Sequence, residues 1–149
     1  MSTRANFLII TPENKIQQYY NHSDGYPSGL GNNLRRHIVF AIGLKSISEE
    51  QNENIYNLFI QEIAHNTKPK QENISFCSYE KELLMELDDQ NQIHADIEYI
   101  YIIDFTKPNV ELYVDNAWML YEKVKTNQDI INRVCKPENI IKLNKIIDR

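Results

Sequence analysis

Thiols, glycines and long apolar runs are all scarce in this chain of 149 residues, and each scarcity closes off a class of protein. The two cysteines, Cys77 and Cys135, lack C-x-x-C spacing, so they make neither a disulfide framework nor a zinc cage. Neither has the local His or basic cluster that marks an activated thiol. The longest apolar stretches, Ile38 to Leu44 and Ile97 to Phe105, fall far short of the roughly 20 residues a helix needs to cross a bilayer. The opening MSTRANFLII has no long apolar segment ahead of a small-residue cleavage site, so secretion is not indicated. A cytoplasmic, reducing compartment is the expectation. Only four Gly and five Pro stand against 42% hydrophobic residues, which excludes fibrous and disordered chains. What remains is a globule with the length of one domain spanning 1–149.

The net charge of −5 is unevenly placed. Residues 72–104 carry nine acidic side chains against Lys81 alone, a net of −8, whereas 123–149 carry seven basic against three acidic, a net of +4. The two segments could complement each other within the fold or across a homo-oligomer. An acidic whole argues against broad nucleic-acid binding, leaving a basic C-terminal patch around Lys142 and Lys145 as the one route to it.

Ala5 to Ile10 is rich in strand formers, Thr11-Pro12-Glu13-Asn14 punctuates, and Lys15 to His22 resumes, which predicts a β-hairpin with Pro12 at the second position of a type I turn. Leu34, His37, Ile38, Ala41 and Leu44 recur at helical spacing, with Val39, Phe40 and Ile42 making the second half apolar nearly all round. This predicts a deeply packed helix over 34–44, N-capped by Asn32 or Asn33. Ser48 and Gln51 form an S-x-x-Q capping box, predicting a helix from Glu49 to His65. Ile74 to Tyr79 reads as a short strand, and Tyr79 to Leu87 fits strand or helix equally. Ala95 to Phe105 and Val110 to Val114 form a second hairpin whose first strand is apolar on both faces and therefore central. Trp118 to Val124 gives no clear signal. Gln128 to Val134 and Glu138 to Ile147 are expected as terminal helices, Pro137 suiting a first turn. Together these predict an α+β fold: a two-layer domain with a mainly antiparallel sheet of four or five strands packed against helices.

The candidate chemistry gathers after the first hairpin, in SDGYPSGLGNN, which holds Gly25, Gly29 and Gly31. Such clustering implies unusual backbone angles. If the second strand persists, Tyr20, His22 and Asp24 share one face, and an imidazole beside a carboxylate can do acid–base work or bind a metal. The bland reading is that Asp24-Gly25 is a turn and His22 a satisfied half-buried side chain. The glycines precede a helix bearing Arg35 and Arg36, where a phosphate could rest on free amides. The spacing G-x-x-x-G-x-G nevertheless matches neither dinucleotide nor Walker loops, and such glycines more often just permit a tight turn into a helix. Tyr26 before Pro27 is either a binding anchor or a lid folded onto the core. Arg4 could clamp Asp24 or meet an anion. Glu98 could join His22 and Asp24 around Mg or Mn, although charges at strand ends commonly reach solvent. His37 reads as a packed core or boundary residue, and His65 and His94 as surface residues.

The segments TRANFLII, YYNHSDGYPSGLGNNL and DIEYIYIIDF resemble a group of small uncharacterised bacterial and phage proteins with an opening T-R strand, a H-x-D-G-Y-P loop and an E-Y-x-Y strand. Matching positions are Thr3, Arg4, Tyr20, His22, Asp24, Gly25, Tyr26, Pro27, Gly31, Glu98, Tyr99 and Tyr101. The resemblance implies a phage or mobile-element association and carries no mechanism. The leading expectation is a non-enzymatic binding or protein-interaction module using the His22–Gly31 loop, with Arg4, Tyr20, His22, Asp24, Tyr26, Arg35, Glu98 and Tyr101 as its candidate binding residues and a protein or small anion as partner. The alternative is a small phosphate- or nucleotide-directed enzyme with His22 and Asp24 as acid–base or metal groups. No cofactor is identified by the residues.

Overall fold

A computed structural model describes residues 3–21, 24–49, 53–66, 85–86, 97–117 and 127–148. The strands are β1 (Ala5–Ile10), β2 (Ile16–Asn21), β3 (Met85–Glu86), β4 (Tyr99–Asp104), β5 (Glu111–Asn116) and β6 (Ile140–Ile141), and the helices are α1 (Asn32–Ile47), α2 (Ile55–Asn66) and α3 (Asn127–Val134). All six strands join one sheet in the order β3-β2-β1-β4-β5-β6. Every neighbouring pair is antiparallel except β1 and β4, which run parallel with Phe7 opposite Tyr101. The fold is α+β, and its four full-length strands are the two predicted hairpins set side by side.

Alternation along the strands sends two sets of side chains to two faces. Ala5, Phe7, Ile9, Tyr19, Tyr101, Ile103 and Leu112 meet Leu34, Ile38 and Ala41 of α1 and Leu58, Phe59 and Ile63 of α2. Phe7 and Tyr19 stack across the first hairpin with centroids 4.8 Å apart. On the other face Leu8, Ile10, Ile100, Ile102 and Tyr113 meet Ile130 and Val134 of α3, so a short helix adds part of a further layer to the expected two. Ile100 to Ile103 are fully buried, as a central strand covered on both faces requires.

The first turn forms as its residues dictate. The Asn14 amide donates to the Thr11 carbonyl at 2.8 Å, Pro12 occupies the second position, and Asn14 takes φ 65°, a left-handed angle that Asn tolerates.

Five expectations need correction. Neither Asn32 nor Asn33 caps α1: the helix continues out of a π-helical turn, Pro27–Gly31, and the Asn32 amide donates to the Pro27 and Gly29 carbonyls. Val39 and Phe40 are 41% and 50% exposed, so α1 is packed on one side only. The second helix begins at Ile55 rather than Glu49, because Asn54 accepts from the Asn57 amide at 2.8 Å and is its N-cap. Ser48 instead ends α1 and its hydroxyl bonds the Glu53 carboxylate. Residues 138–147 are not a helix: Pro137–Asn139 makes a single 3-10 turn, and Ile140 and Ile141 pair with Tyr113 and Leu112. The open edge of β5 offers two β-branched residues a ladder that outweighs helical spacing. The expected strand at Ile74 to Tyr79 and the segment Trp118 to Val124 lie outside the described residues, and of Tyr79 to Leu87 only Met85–Glu86 is described, as strand. Among the described residues no helix is long and apolar enough to cross a membrane.

Candidate functional site

The chain between β2 and α1 builds a corner from backbone bonds. Asp24 adopts φ 56°, and its carbonyl accepts from the Leu30 amide at 2.8 Å. The Gly25 amide donates to the Thr3 carbonyl at 2.8 Å, so the corner is laced onto the start of β1. Tyr26 is extended, φ −68° and ψ 159°, as the residue before proline should be. The Gly29 amide then donates to the Tyr26 carbonyl at 2.9 Å, and Leu30, with no exposed surface, plugs the corner into the core.

The three glycines do not take left-handed angles, as their clustering had suggested; no glycine has positive φ. They are needed because atoms come close. A Cβ on Gly25 would lie 2.8 Å from Ala5 Cβ and 2.9 Å from the Thr3 carbonyl oxygen, and one on Gly29 would lie 2.4 Å from the Asp24 carbonyl oxygen. On Gly31 it would meet Ile147 Cδ1 at 3.2 Å. The turn-permitting reading of these glycines therefore has a physical basis.

Tyr101 supports the corner from below. It is fully buried, and its hydroxyl donates to the Gly25 carbonyl at 2.6 Å. Burial drives its pKa far above the usual phenol value, with the charge of Tyr99 adding to the rise and a bond from the Gly31 backbone opposing it. It holds the loop and leaves nothing for a ligand, which removes it from the ligand-facing set. Tyr26 is 39% exposed, and its hydroxyl donates to Asp24 Oδ1 at 3.2 Å. The lid alternative, in which Tyr26 folds onto the core, is the one this exposure disfavours.

The remaining candidates are spread out. Asp24 lies past the end of β2 (Ile16–Asn21) and is left-handed, so strand alternation does not carry from Tyr20 to Asp24. Tyr20 lies opposite Asn6 in the ladder, and His22 lies outside the described residues, as do His94 and Cys77. Arg35 donates through Nη1 to the Leu143 carbonyl at 2.9 Å and so ties down the C-terminal segment rather than presenting its charge at the helix start. The Arg4 carbonyl accepts from the Glu98 amide at 2.8 Å. Alternation along β4 puts Glu98 with Ile100 and Ile102, on the face away from the corner. Glu98 is exposed. Among the described residues no group of three His, Cys, Asp or Glu could hold a metal.

Away from the corner, burial perturbs His37 and Cys135 among other groups. His37 is 6% exposed, and burial, helped by the Arg36 charge, lowers its pKa from 6.5 to about 4. Glu62 stands at 3.9 Å from Nδ1, too far to offset that burial, and the expected core histidine is what the fold contains. Burial, with the Asp104 charge, raises Cys135 to about 12, which suits an inert thiol.

Two clefts flank Pro27. One of about 500 Å³ is lined by Tyr26, Pro27, Ser28 and Tyr99. The other, about 450 Å³, has Pro27, Val114, Ile140 and Ile146 as apolar wall with Lys142 and Lys145 beside them. Asn32 fastens the segment that forms this second wall, donating to the Ile147 carbonyl at 2.9 Å and accepting from its amide at 2.8 Å. Ser28 and the Asn32 tether gave no sequence signal, and Tyr99 was visible as a strand tyrosine and a matching position of the E-Y-x-Y strand, without a place among the candidate binding residues. Compared with family models, curated proteins and solved structures, the chain finds no match.

Proposed function

We propose that this chain is a non-enzymatic binding module whose recognition surface is the corner Asp24–Ser28 with the two clefts that meet at Pro27. The partner is an extended segment of another protein bearing a carboxylate and an apolar side chain. The observation that carries this is the meeting of the clefts: phenols and a hydroxyl line one, exposed isoleucines and two lysines line the other, and Pro27 belongs to both. Tyr26 supplies a large, amphipathic contact of few rotatable bonds, the kind of side chain that anchors interfaces. A corner laced to β1 and seated on Tyr101 has little ordering left to lose on binding, which favours affinity. The enzymatic alternative draws less support, since the Asp24 carboxylate is engaged by Tyr26 and Arg35 is engaged by Leu143.

Fluorescein-labelled peptides varying in acidic and apolar content, titrated by anisotropy, test the reading. Peptides combining Glu with Leu should bind, Tyr26→Ala and the Lys142→Glu, Lys145→Glu double variant should each weaken them about tenfold or more, and thermal stability should hardly change. Binding that ignores both variants overturns this surface. A thermal shift with nucleotides or divalent cations that disappears in His22→Ala would favour the enzyme reading instead.

A further inference from the structure

We propose that the sheet face packed on α3 carries a separate small-molecule site at the end marked by Arg4, with the Asn6 carboxamide at its floor and an amino acid bearing a side-chain carboxamide as its ligand. Asn6 is the one polar residue of β1, which is otherwise apolar from Ala5 to Ile10. It has no exposed surface. Its Nδ2 and Oδ1 are both buried without a hydrogen-bond partner among the described residues.

The surroundings explain why the fold does not satisfy this amide. β1 pairs with β2 on one side and with β4 on the other, so the backbone groups beside Asn6 are taken up by the ladders. Alternation sets Asn6 on one face with Leu8 and Ile10, and its register partner on β4 is Ile100, so its nearest side chains on these strands offer no polar atom. A buried amide with nothing to bond gives up the hydrogen bonds it made with water in the unfolded chain, and a leucine there would give up none. A residue that weakens the fold in this way has its reason elsewhere, and a ligand that pairs with it is such a reason.

Two charges on the same face say what that ligand carries. Arg4 lies two residues before Asn6, about 6.7 Å along the strand. Its carbonyl accepts from the Glu98 amide at 2.8 Å, which extends the parallel register by one pair and sets Glu98 beside Arg4 on this face. Glu98 is exposed, Arg4 half-buried and Asn6 sealed, so the three groups run from rim to floor. Asn6 presents a donor beside an acceptor, which a second carboxamide matches at both positions. Arg4, with five donors to share, receives a carboxylate, and Glu98 receives an ammonium. Glutamine and asparagine carry all three groups on one short chain. Glutamate would set an acceptor against Asn6 Oδ1, and leucine would leave the amide unpaired. The side chains over Asn6 must part to admit the ligand, so association should be slower than into an open cleft, and the enclosed amide pair is stronger for being sealed from water.

Calorimetric titration of the full chain with L-glutamine and L-asparagine tests the proposal. At least one should bind with a Kd of about 1 mM or tighter and shift the side-chain NH2 resonances of Asn6 in proton–nitrogen spectra. L-glutamate and L-leucine should bind about tenfold more weakly or not at all. Asn6→Leu should abolish binding while raising the melting temperature of the ligand-free chain by about 2–5 °C, because one substitution removes both the unpaired amide and the ligand's partner. Glu98→Gln, at an exposed position, should weaken binding about tenfold with the melting temperature unchanged. Failure of both amides to bind overturns the proposal, and so does equal affinity for leucine. An Asn6→Leu chain less stable than the parent also overturns it, since the amide would then be bonded within the fold. Glu98 lies on the face away from the clefts at Pro27, so Glu98→Gln should leave peptide titrations unchanged and the two readings can fail separately.

Discussion

Four glycines in one chain give four different environments, and substituting each by alanine should rank them. Gly29→Ala drives a Cβ to 2.4 Å from a backbone oxygen, which cannot move without opening the Asp24 to Leu30 bond; a cost of about 3 kcal/mol or more is expected. Gly25→Ala presses on Ala5 Cβ and the Thr3 carbonyl at 2.8 and 2.9 Å, for about 1–3 kcal/mol. Gly31→Ala asks only the tip of Ile147 to shift and should cost less than either. Gly43→Ala, where a Cβ would meet nothing within 4 Å, should stabilise by up to about 1 kcal/mol. Urea unfolding of the four variants checks the order, and a Gly29→Ala protein as stable as the parent would refute the close approach at that corner. His37 supplies a pH signature. Its folded pKa of about 4 lies below the unfolded value of 6.5, so between these pH values the unfolded chain holds more protons and stability rises with pH. The contribution is whole above pH 6.5, shrinks as pH falls towards 4, and is of order 3 kcal/mol in total. His37→Leu should flatten the dependence of the urea midpoint across that window; an unchanged slope would show that other groups set it.

Hairpins announce themselves locally and partners across the sheet do not, and this difference separates what could be read from the chain from what could not. The strand runs at Ala5–Ile10 and Tyr99–Asp104 combine β-branched and aromatic residues with turn residues at their ends, so composition alone identifies them. The corner was visible as a glycine cluster, but the reason for Gly25 and Gly31, contact with Ala5 and with Ile147, is set by residues distant in sequence. Leu143, Ile146 and Ile147 recur at helical spacing and mimic a helix. Their true place depends on a vacant ladder on β5 and on Asn32, more than a hundred residues earlier. That tether makes an element-level prediction. Asn32→Ala removes both bonds to Ile147, and Arg35→Ala removes the one to Leu143. Since α1 takes its first backbone bonds from the π-helical turn and not from the Asn32 side chain, the helix should survive while the segment after β6 (Ile140–Ile141) loosens. Hydrogen exchange should show the Ile147 amide losing about 1–2 kcal/mol of protection with the amides of Ile38 and Ala41 unchanged. Loss of protection across α1 as well would mean that the tether and the helix form one unit.

Chain connectivity decides how the whole molecule must fold. β1 sits at the centre, antiparallel to β2 on one side and parallel to β4 on the other, and roughly ninety residues separate Ile10 from Tyr99. Closing a loop of that length costs about 4 kcal/mol before the strands return anything. The return is large, since Phe7, Leu8 and Ile9 have no exposed surface and Ile10 only 5%, but it arrives only when both flanks are in place. Residues 1–66 contain β1, β2, α1 and α2 and yet lack the strand that completes the ladder of β1. That fragment would leave the β4 side of β1 as an open edge with Leu8 and Ile10 uncovered on the α3 face, a surface prone to association. Expressed alone it should show no cooperative melting transition. The full chain should instead lose near-ultraviolet ellipticity from its tyrosines and far-ultraviolet ellipticity from its helices at one urea midpoint. If the fragment melts sharply by itself, β1, β2 and the two helices form an autonomous unit, and the parallel pairing joins two folded halves rather than creating one.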